Sequence, residues 1–423
     1  MMNEQALIFD NAEALDESDP LCSYRERFHF PEVKDGAEPI YFTGNSLGLM
    51  PKKVREYVDQ ELDDWARLAV DGHLEAKHPW LPYHEFLTEQ MAAIVGAKPL
   101  ETVVMNSLTV NLHLLMVSFY RPTAEWCKIV IEKGAFPSDQ YAVESQILFH
   151  GFDPSNVLIE LEPREGESIL RTEDIIETIN REGSSIALVM LGGVNYYTGQ
   201  AFDMKAITQA GHKVGAIVGF DLAHAAGNLE LKLHDWNVDF ACWCSYKYLN
   251  GGPGSVGGAF VHERHATSFD LPRFAGWWGH HKESRFLMGP EFNPLAGAEG
   301  WQLSNPPILQ MTALRASLEI FEEAGMSALT EKSRKLTGYL ESLIDNIGDE
   351  RISVITPRDP NQRGCQLSIR VRGGERSLHA RLTSKGVFAD WREPDVIRVA
   401  PVPLYNSFED VVRFAEILRD VLR

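Results

Sequence analysis

Two neighbouring stretches decide how this chain folds: AIVGFDLAH at residues 216–224 and DFACWCSYKYLN at residues 239–250. Each opens on a short apolar run, Ala216–Phe220 and Asp239–Cys244, that reads as a strand covered on both faces. Each then ends in polar groups, Asp221 with His224 in one and Tyr246 with Lys247 in the other. The same grammar recurs on either side. Lys128–Ile131 predicts a strand followed by a polar loop at Lys133–Gln140, and Ile186–Leu191 predicts another that ends in Gly192-Gly193. Gly258–Val261 predicts one more, after a glycine-rich turn. Helical patterns fill the intervals, so the expected class is α/β with a mainly parallel sheet. In open sheets of that kind ligands bind beyond the carboxyl ends of the strands. Ser138, Asp139, Asp221, His224, Tyr246 and Lys247 all fall at such ends.

Pro51–Val70 reads as an amphipathic helix with proline at its first position. Beyond Pro307 the pattern changes. Helices are expected at Leu309–Ala324, Thr330–Ile347 and Ser407–Leu422, with strands at Ile352–Thr356 and Gln366–Val371. The expected organisation is a large α/β domain over 51–307 and a smaller α+β domain over 308–423. The segment 1–50 is expected to pack with the small domain.

The 423 residues carry 60 acidic against 40 basic side chains, a formal net charge of −20. A polyanion would meet like charge over most of such a surface, and no Lys/Arg-rich block offsets it, so no nucleic-acid partner is expected. The longest apolar stretches, Ser185–Val194 and Val214–Phe220, are far shorter than the roughly 20 residues a membrane helix needs. The opening MMNEQALIFDNAEALDESD has no basic segment followed by an apolar one, so no secretory signal is expected. Five scattered cysteines suit reduced thiols in a cytoplasm. Cys242-Trp-Cys244 is too tightly spaced for a metal knuckle and has no second pair, so no metal is expected.

Gly252-Pro-Gly254-Ser-Val-Gly257 spells G-x-G-x-x-G, but a strand follows it rather than a helix and no acid stands about 20 positions on. It reads as a tight turn, and no Gly-Lys-Ser/Thr phosphate loop is present either. Lys247 is different. Among aromatic and small neighbours at a strand end, desolvation lowers a lysine's pKa and frees its amine to form an imine. Asp221, one strand away, has the charge to keep a pyridinium nitrogen protonated, which pyridoxal phosphate chemistry requires. The competing readings are a surface lysine and an aspartate that caps a helix over Leu222–Ala226. The spacing of the two residues across one strand–loop–strand unit favours the cofactor.

Asp221-Leu-Ala-His224, Cys242-Trp-Cys-Ser-Tyr-Lys247-Tyr-Leu-Asn250, Gly276-Trp-Trp-Gly-His280 and Ser304-Asn-Pro-Pro-Ile-Leu309 resemble the kynureninase family. So do Gly44-Asn-Ser-Leu-Gly48, Met105-Asn-Ser-Leu-Thr-Val-Asn-Leu-His113, Phe136-Pro-Ser-Asp139 and Arg398-Val-Ala-Pro-Val-Pro-Leu-Tyr-Asn406. The resemblance implies a fold type I pyridoxal-phosphate enzyme of the class V aminotransferase superfamily. Its implied reaction is hydrolysis of the Cβ–Cγ bond of L-kynurenine, to anthranilate and L-alanine. By the same resemblance Lys247 is the imine-forming and catalytic lysine, and Tyr246 shuttles protons. The cofactor is held by Leu108, Thr109, Phe136, Ser138, Asp139, Asp221, His224 and Tyr246. Trp277 and Asn305 reach it from a second subunit, which implies a homodimer with shared active sites. Substrate contacts fall to Ser46, His73, Ser304, Asn305 and Arg398, the last clamping the α-carboxylate. His73, Ser304 and Asn305 match members that favour 3-hydroxykynurenine.

Bland alternatives accompany several of these. Thr109 can be a plain helix cap, Phe136 ordinary core, His224 a structural histidine, Arg398 a surface arginine, and Trp277-Trp278 a local core. Where family members often carry a hydroxyl residue, this chain has Gly192, so that cofactor contact is not carried over. Two relatives by fold compete with the reading, a cysteine desulfurase and an aminotransferase. The desulfurase needs a mobile cysteine near the small domain, and only Cys365 is even roughly placed.

Overall fold

The computed structural model describes residues 11–33, 36–374 and 376–423. Seven strands form its central sheet: β1 (Thr102–Val104), β2 (Lys128–Glu132), β3 (Leu158–Leu161), β4 (Ile186–Gly192), β5 (Ile217–Asp221), β6 (Phe240–Trp243) and β7 (Gly258–Val261). Their spatial order is β1-β7-β6-β5-β4-β2-β3. Neighbours from β3 to β6 pair in parallel, while β7 runs antiparallel between β1 and β6. β4 through β7 are buried along almost their whole length, which is why they read as unbroken apolar runs.

Helices α1 (Val54–Leu68), α2 (Leu108–Phe119), α3 (Pro137–Phe149), α4 (Thr172–Glu182) and α5 (Met204–Lys213) accompany this sheet. α1 starts later than its sequence suggests. Pro51 does not open the helix; it pairs with Phe28 in a two-residue antiparallel ribbon. The expected loop at Lys133–Gln140 is also shorter, because Pro137 opens α3. Proline suits that first position, where its missing N–H is not needed.

After residue 307 come α6 (Ile308–Ala324) and α7 (Met326–Ile347), with Gly325 turning between them at φ 74°. α6 lays Met311, Leu314, Leu318 and Phe321 into the same core as β5 and β6. A separate core gathers Leu336, Leu340 and Ile344 of α7 with a four-stranded antiparallel sheet. That sheet is β8 (Ile352–Val354), β9 (Leu367–Val371), β10 (Asp390–Arg392) and β11 (Val396–Val399), in the order β8-β9-β11-β10. The last helix, α8 (Phe408–Leu422), is capped by Ser407 and Asp410 in a reciprocal box. Segments before residue 50 join both cores. Ile40 and Phe42 lie in the small one and Phe28 and Leu49 in the large.

The glycine-rich turn has a structural role. Gly252 and Gly254 adopt φ of 89° and 68°, conformations that favour glycine. Gly257 passes close under the start of α2: a Cβ there would meet the Trp243 carbonyl oxygen at 2.8 Å and the Leu108 nitrogen at 3.2 Å. Gly257→Ala is therefore expected to cost about 1–3 kcal/mol by overpacking and to loosen whatever anion α2 holds. Thermal unfolding and cofactor titration of the purified variant check both effects.

Candidate active site

The carboxyl ends of β2, β4, β5 and β6 lie at one edge of the sheet, and a cleft opens there. Lys247 follows β6 on a short loop and is only 8% exposed, so the surface alternative falls. Its Nζ lies 3.0 Å from His224 Nε2 and 5.7 Å from the centre of the Phe136 ring. The N-terminal segment braces this loop, since Gly48 N–H donates to the Tyr246 carbonyl at 2.8 Å.

Asp221 ends β5. Its Oδ1 accepts from Ala223 N–H at 2.6 Å, and the following residues form turns rather than the helix that a capping role needs. Its other neighbour is Asp139, near the start of α3. Burial, then the facing Asp221 charge, raises Asp139 well above the carboxylate range, so Asp139 keeps its proton and Asp221 carries the charge. Burial also lowers His224 far below an ordinary histidine, and Lys247 adds to that push. A neutral His224 accepts from the lysine amine through Nε2, while its buried Nδ1 has no partner.

Two helix starts converge on the same edge. Thr109 lies one residue inside α2, and the cap position belongs to Ser107, so the plain-cap reading of Thr109 fails. The Thr109 hydroxyl instead meets the Ser138 hydroxyl of α3 at 2.7 Å. Free N–H groups and aligned dipoles at both starts favour an anion. Phe136 is 45% exposed and stands edge-on to Tyr196, which is not the state of an ordinary core aromatic. Tyr246 flanks the cleft on the other side, its phenol pushed up by burial and then by Cys244.

Arg398 sits on β11, 1% exposed, against the surface alternative. Its Nη1 donates to the Tyr196 carbonyl at 2.7 Å, and its Nη2 pairs with Asp390 and lies 3.4 Å from the Ser46 hydroxyl. The remaining expected residues are not in the cleft of their own chain. Ser304 and Asn305 are exposed, and His73 packs edge-on to Trp80 on the short helix Gly72–Glu75. Trp277 and Trp278 part ways: Trp278 is buried beneath the Arg285 guanidinium, whereas Trp277 remains 40% exposed.

Three members of the site escaped the sequence reading: Glu132, Tyr196 and Asp390. Glu132 ends β2 fully buried beside Gly192, one oxygen without a partner, and its pKa is pushed up to about 8 by burial and then by Asp221. A carboxylate closing an otherwise apolar strand was the available signal. The raised value has a consequence for stability. The folded protein retains this proton between the ordinary value of 4.5 and about 8, while the unfolded chain releases it, so Glu132 favours the fold below pH 4.5 and that stability is lost as pH rises to about 8. Glu132→Gln removes the loss. The unfolding temperature of the variant relative to the parent is expected to climb across that window, and a flat difference would contradict the assignment.

The residues present fit pyridoxal phosphate. An amine for its aldehyde, a buried charged carboxylate for its ring nitrogen, two helix starts for its phosphate and an aromatic face for its ring line one cleft. The unpartnered His224 Nδ1 and Asp139 Oδ1 are further polar groups at the same place.

Comparison with known proteins agrees. A family model for the kynureninase C-terminal domain matches residues 329–418. The kynureninase of Koribacter versatilis is 63% identical over 415 residues, covering 97% of this chain and 98% of that relative. The kynureninase of Myxococcus xanthus is 61% identical, covering 97% of each. Among solved structures, the cystine C–S lyase C-DES with its product cysteine persulfide has a TM-score of 0.77 at 16% identity, covering 91% of this chain and 98% of that one. An apo cysteine desulfurase from Thermococcus onnurineus NA1 has a TM-score of 0.74 at 19% identity, covering 96% and 97%. These last two likenesses are of fold. Neither carries an activity to this chain, whose Cys365 is fully buried with its thiol pushed up to about 12 by that burial. Such a thiol is no mobile nucleophile.

Proposed function

This chain belongs to the kynureninase family, and from that premise we propose how its cleft hydrolyses L-kynurenine to anthranilate and L-alanine. One water is consumed and the Cβ–Cγ bond breaks. Identity above 60% along nearly the whole chain carries the reading. Bound pyridoxal phosphate supplies an aldehyde that condenses with amines and a ring that accepts electrons.

The chain's own groups do the rest. Leu108 and Thr109 at the start of α2, with Ser138 of α3, hold the phosphate, and Phe136 packs on the ring. Asp221 keeps the ring nitrogen protonated, and Asp139 helps it by remaining neutral. Lys247 anchors the cofactor, then serves as the base at the substrate's α-carbon once its amine is free. His224, neutral, accepts a hydrogen bond from that amine and orients it. Tyr246 is placed to move a proton at the substrate's side chain. Arg398 binds the α-carboxylate, with Ser46 beside it.

A homodimer completes the site in this reading. Trp277, Asn305, Ser304 and His73 lie outside their own chain's cleft, and Phe286, Leu287 and Met288 expose apolar surface near Trp277. Apolar surface of that kind favours a partner. The second copy then brings Trp277 and Asn305 to the phosphate, and His73 with Ser304 and Asn305 to the substrate's ring. Polar groups there suit 3-hydroxy-L-kynurenine as well, which would yield 3-hydroxyanthranilate. No helix among the described residues is long and apolar enough to cross a membrane. The five free cysteines suit the reducing cytoplasm in which the reading places the enzyme.

Adding kynurenine to the cofactor-loaded protein and following anthranilate fluorescence tests the activity, and kcat/KM for both substrates tests the ring preference. The shared site has its own test. Lys247→Ala and Asn305→Ala chains, each inactive alone, should regain activity when mixed, because half the sites of a mixed dimer are intact. A fully active monomer, or no recovery in verified mixed dimers, would sink it.

A further inference from the structure

Arg398 and Asp390 face each other directly across the β10–β11 ladder. Burying a guanidinium is costly unless a counter-charge and hydrogen bonds compensate it. Here Asp390 takes Nη2 and the Tyr196 carbonyl takes Nη1, while Nε is buried with no partner. The Ser46 hydroxyl donates to the same Asp390 oxygen, and the Arg392 guanidinium lies 3.5 Å from it. Burial alone would raise this carboxyl, but Arg398, Ser46 and Arg392 together hold it below the usual range. Two guanidinium groups thus surround one carboxylate, leaving one positive charge in excess beside the cleft.

We infer that Asp390 is a positioning residue: it pins the Arg398 fork so that its remaining face meets the substrate, and it sets the capacity of the pocket at one further carboxylate. The fork gathers four segments: Arg398 from β11, Asp390 from β10, Ser46 from the N-terminal segment and Tyr196 from the loop after β4. Its rotamer is settled before substrate arrives, which removes an ordering cost from binding. Without Asp390, Arg398 keeps a single partner of full strength and turns toward whatever anion it finds.

The inference rests on Arg398 being the α-carboxylate clamp, and the experiment separates the two. Asp390→Ala, Asp390→Asn and Arg398→Ala are compared in the loaded enzyme with kynurenine. Two competitive ligands accompany them, one carrying the α-carboxylate and one its decarboxylated analogue. Asp390→Ala is expected to raise KM about tenfold or more, with a smaller fall in kcat, and to weaken the carboxylate ligand to match. The decarboxylated ligand should stay within about twofold, since a fork correctly held does nothing for it. Asp390→Asn should recover most of the loss, because its amide oxygen still accepts from Nη2 and Ser46. Equal weakening of both ligands, an unchanged KM, or an asparagine variant as poor as the alanine one would overturn the inference. If Arg398→Ala also fails to discriminate the two ligands, the clamp itself is wrong. If it discriminates and Asp390→Ala does not, only the role of Asp390 falls. Should Asp390→Ala not fold, Asp390→Ser, too short to reach Nη2, takes its place with the same expectations.

Discussion

Replacing Lys247 by alanine should lower turnover by about a thousandfold to ten-thousandfold, the upper part of the range for losing a positioned acid–base group, because the two jobs proposed for it vanish with one amine. The first is the covalent anchoring of the cofactor. The second is proton transfer at the substrate's α-carbon. No neighbour can take over. His224, 3.0 Å from the lysine amine, is lowered so far by burial that it is too weak a base to take a proton from carbon. The Tyr246 phenol is pushed up by burial and Asp139 keeps its proton, so neither is a ready base near pH 7. The fold should persist, since Lys247 lies on a loop whose backbone is tied to Gly48 and whose neighbour Tyr248 is packed into the main core. Borohydride reduction should trap no cofactor on the variant, and its visible absorbance should differ from the parent's. Turnover above one part in a hundred, with cofactor still trapped, would defeat the assignment.

Replacing Asp221 by asparagine should lower kcat by about a hundredfold to a thousandfold, the usual scale for removing one preorganised electrostatic partner from a dry site. The physical cause is the unequal pair that it forms with Asp139. Two buried carboxyls facing each other cannot both ionise cheaply, so one keeps a proton, and the raised value assigns that proton to Asp139. Burial raises Asp221 as well, but the Asp139 carboxyl, the Ala223 N–H and Lys247 each draw it back, so of the pair it is Asp221 that holds the charge. An asparagine there keeps the shape but cannot hold a ring nitrogen in its protonated form. Asp139→Asn makes the contrasting case. It replaces a carboxyl that is already neutral, so about tenfold or less is expected. Equal losses in the two variants would place the charge on Asp139 instead.

Much of this site was legible before any coordinates. Asp221, His224, Tyr246 and Lys247 follow apolar runs too short for buried helices and too continuous for surface strands, and such runs end where a parallel sheet presents its reactive edge. The family words then supplied Thr109, Phe136 and Arg398. Glu132 was passed over because its strand was expected to stop at Ile131 and to give way to a polar loop. Asp390 was passed over for a different reason. Asp390, Trp391 and Arg392 are a strand too short to show any period, and the partner of Asp390 across the ladder, Arg398, is eight residues away in sequence.

The chain's letters by themselves settle the class of fold and point to the candidate reactive groups, because apolar patterning and burial on both faces are local properties of a segment. They also place the lysine and the aspartate on adjoining strand ends. Which carboxyl keeps the proton, which anion holds Arg398, and which of two adjacent tryptophans faces outward are settled only by the folded chain. Those outcomes depend on burial and on distances between segments hundreds of residues apart, and electrostatic energy in a dry pocket changes steeply with both. Ser46 and Asp390 meet across 344 positions of sequence, and no pattern within either segment announces the other.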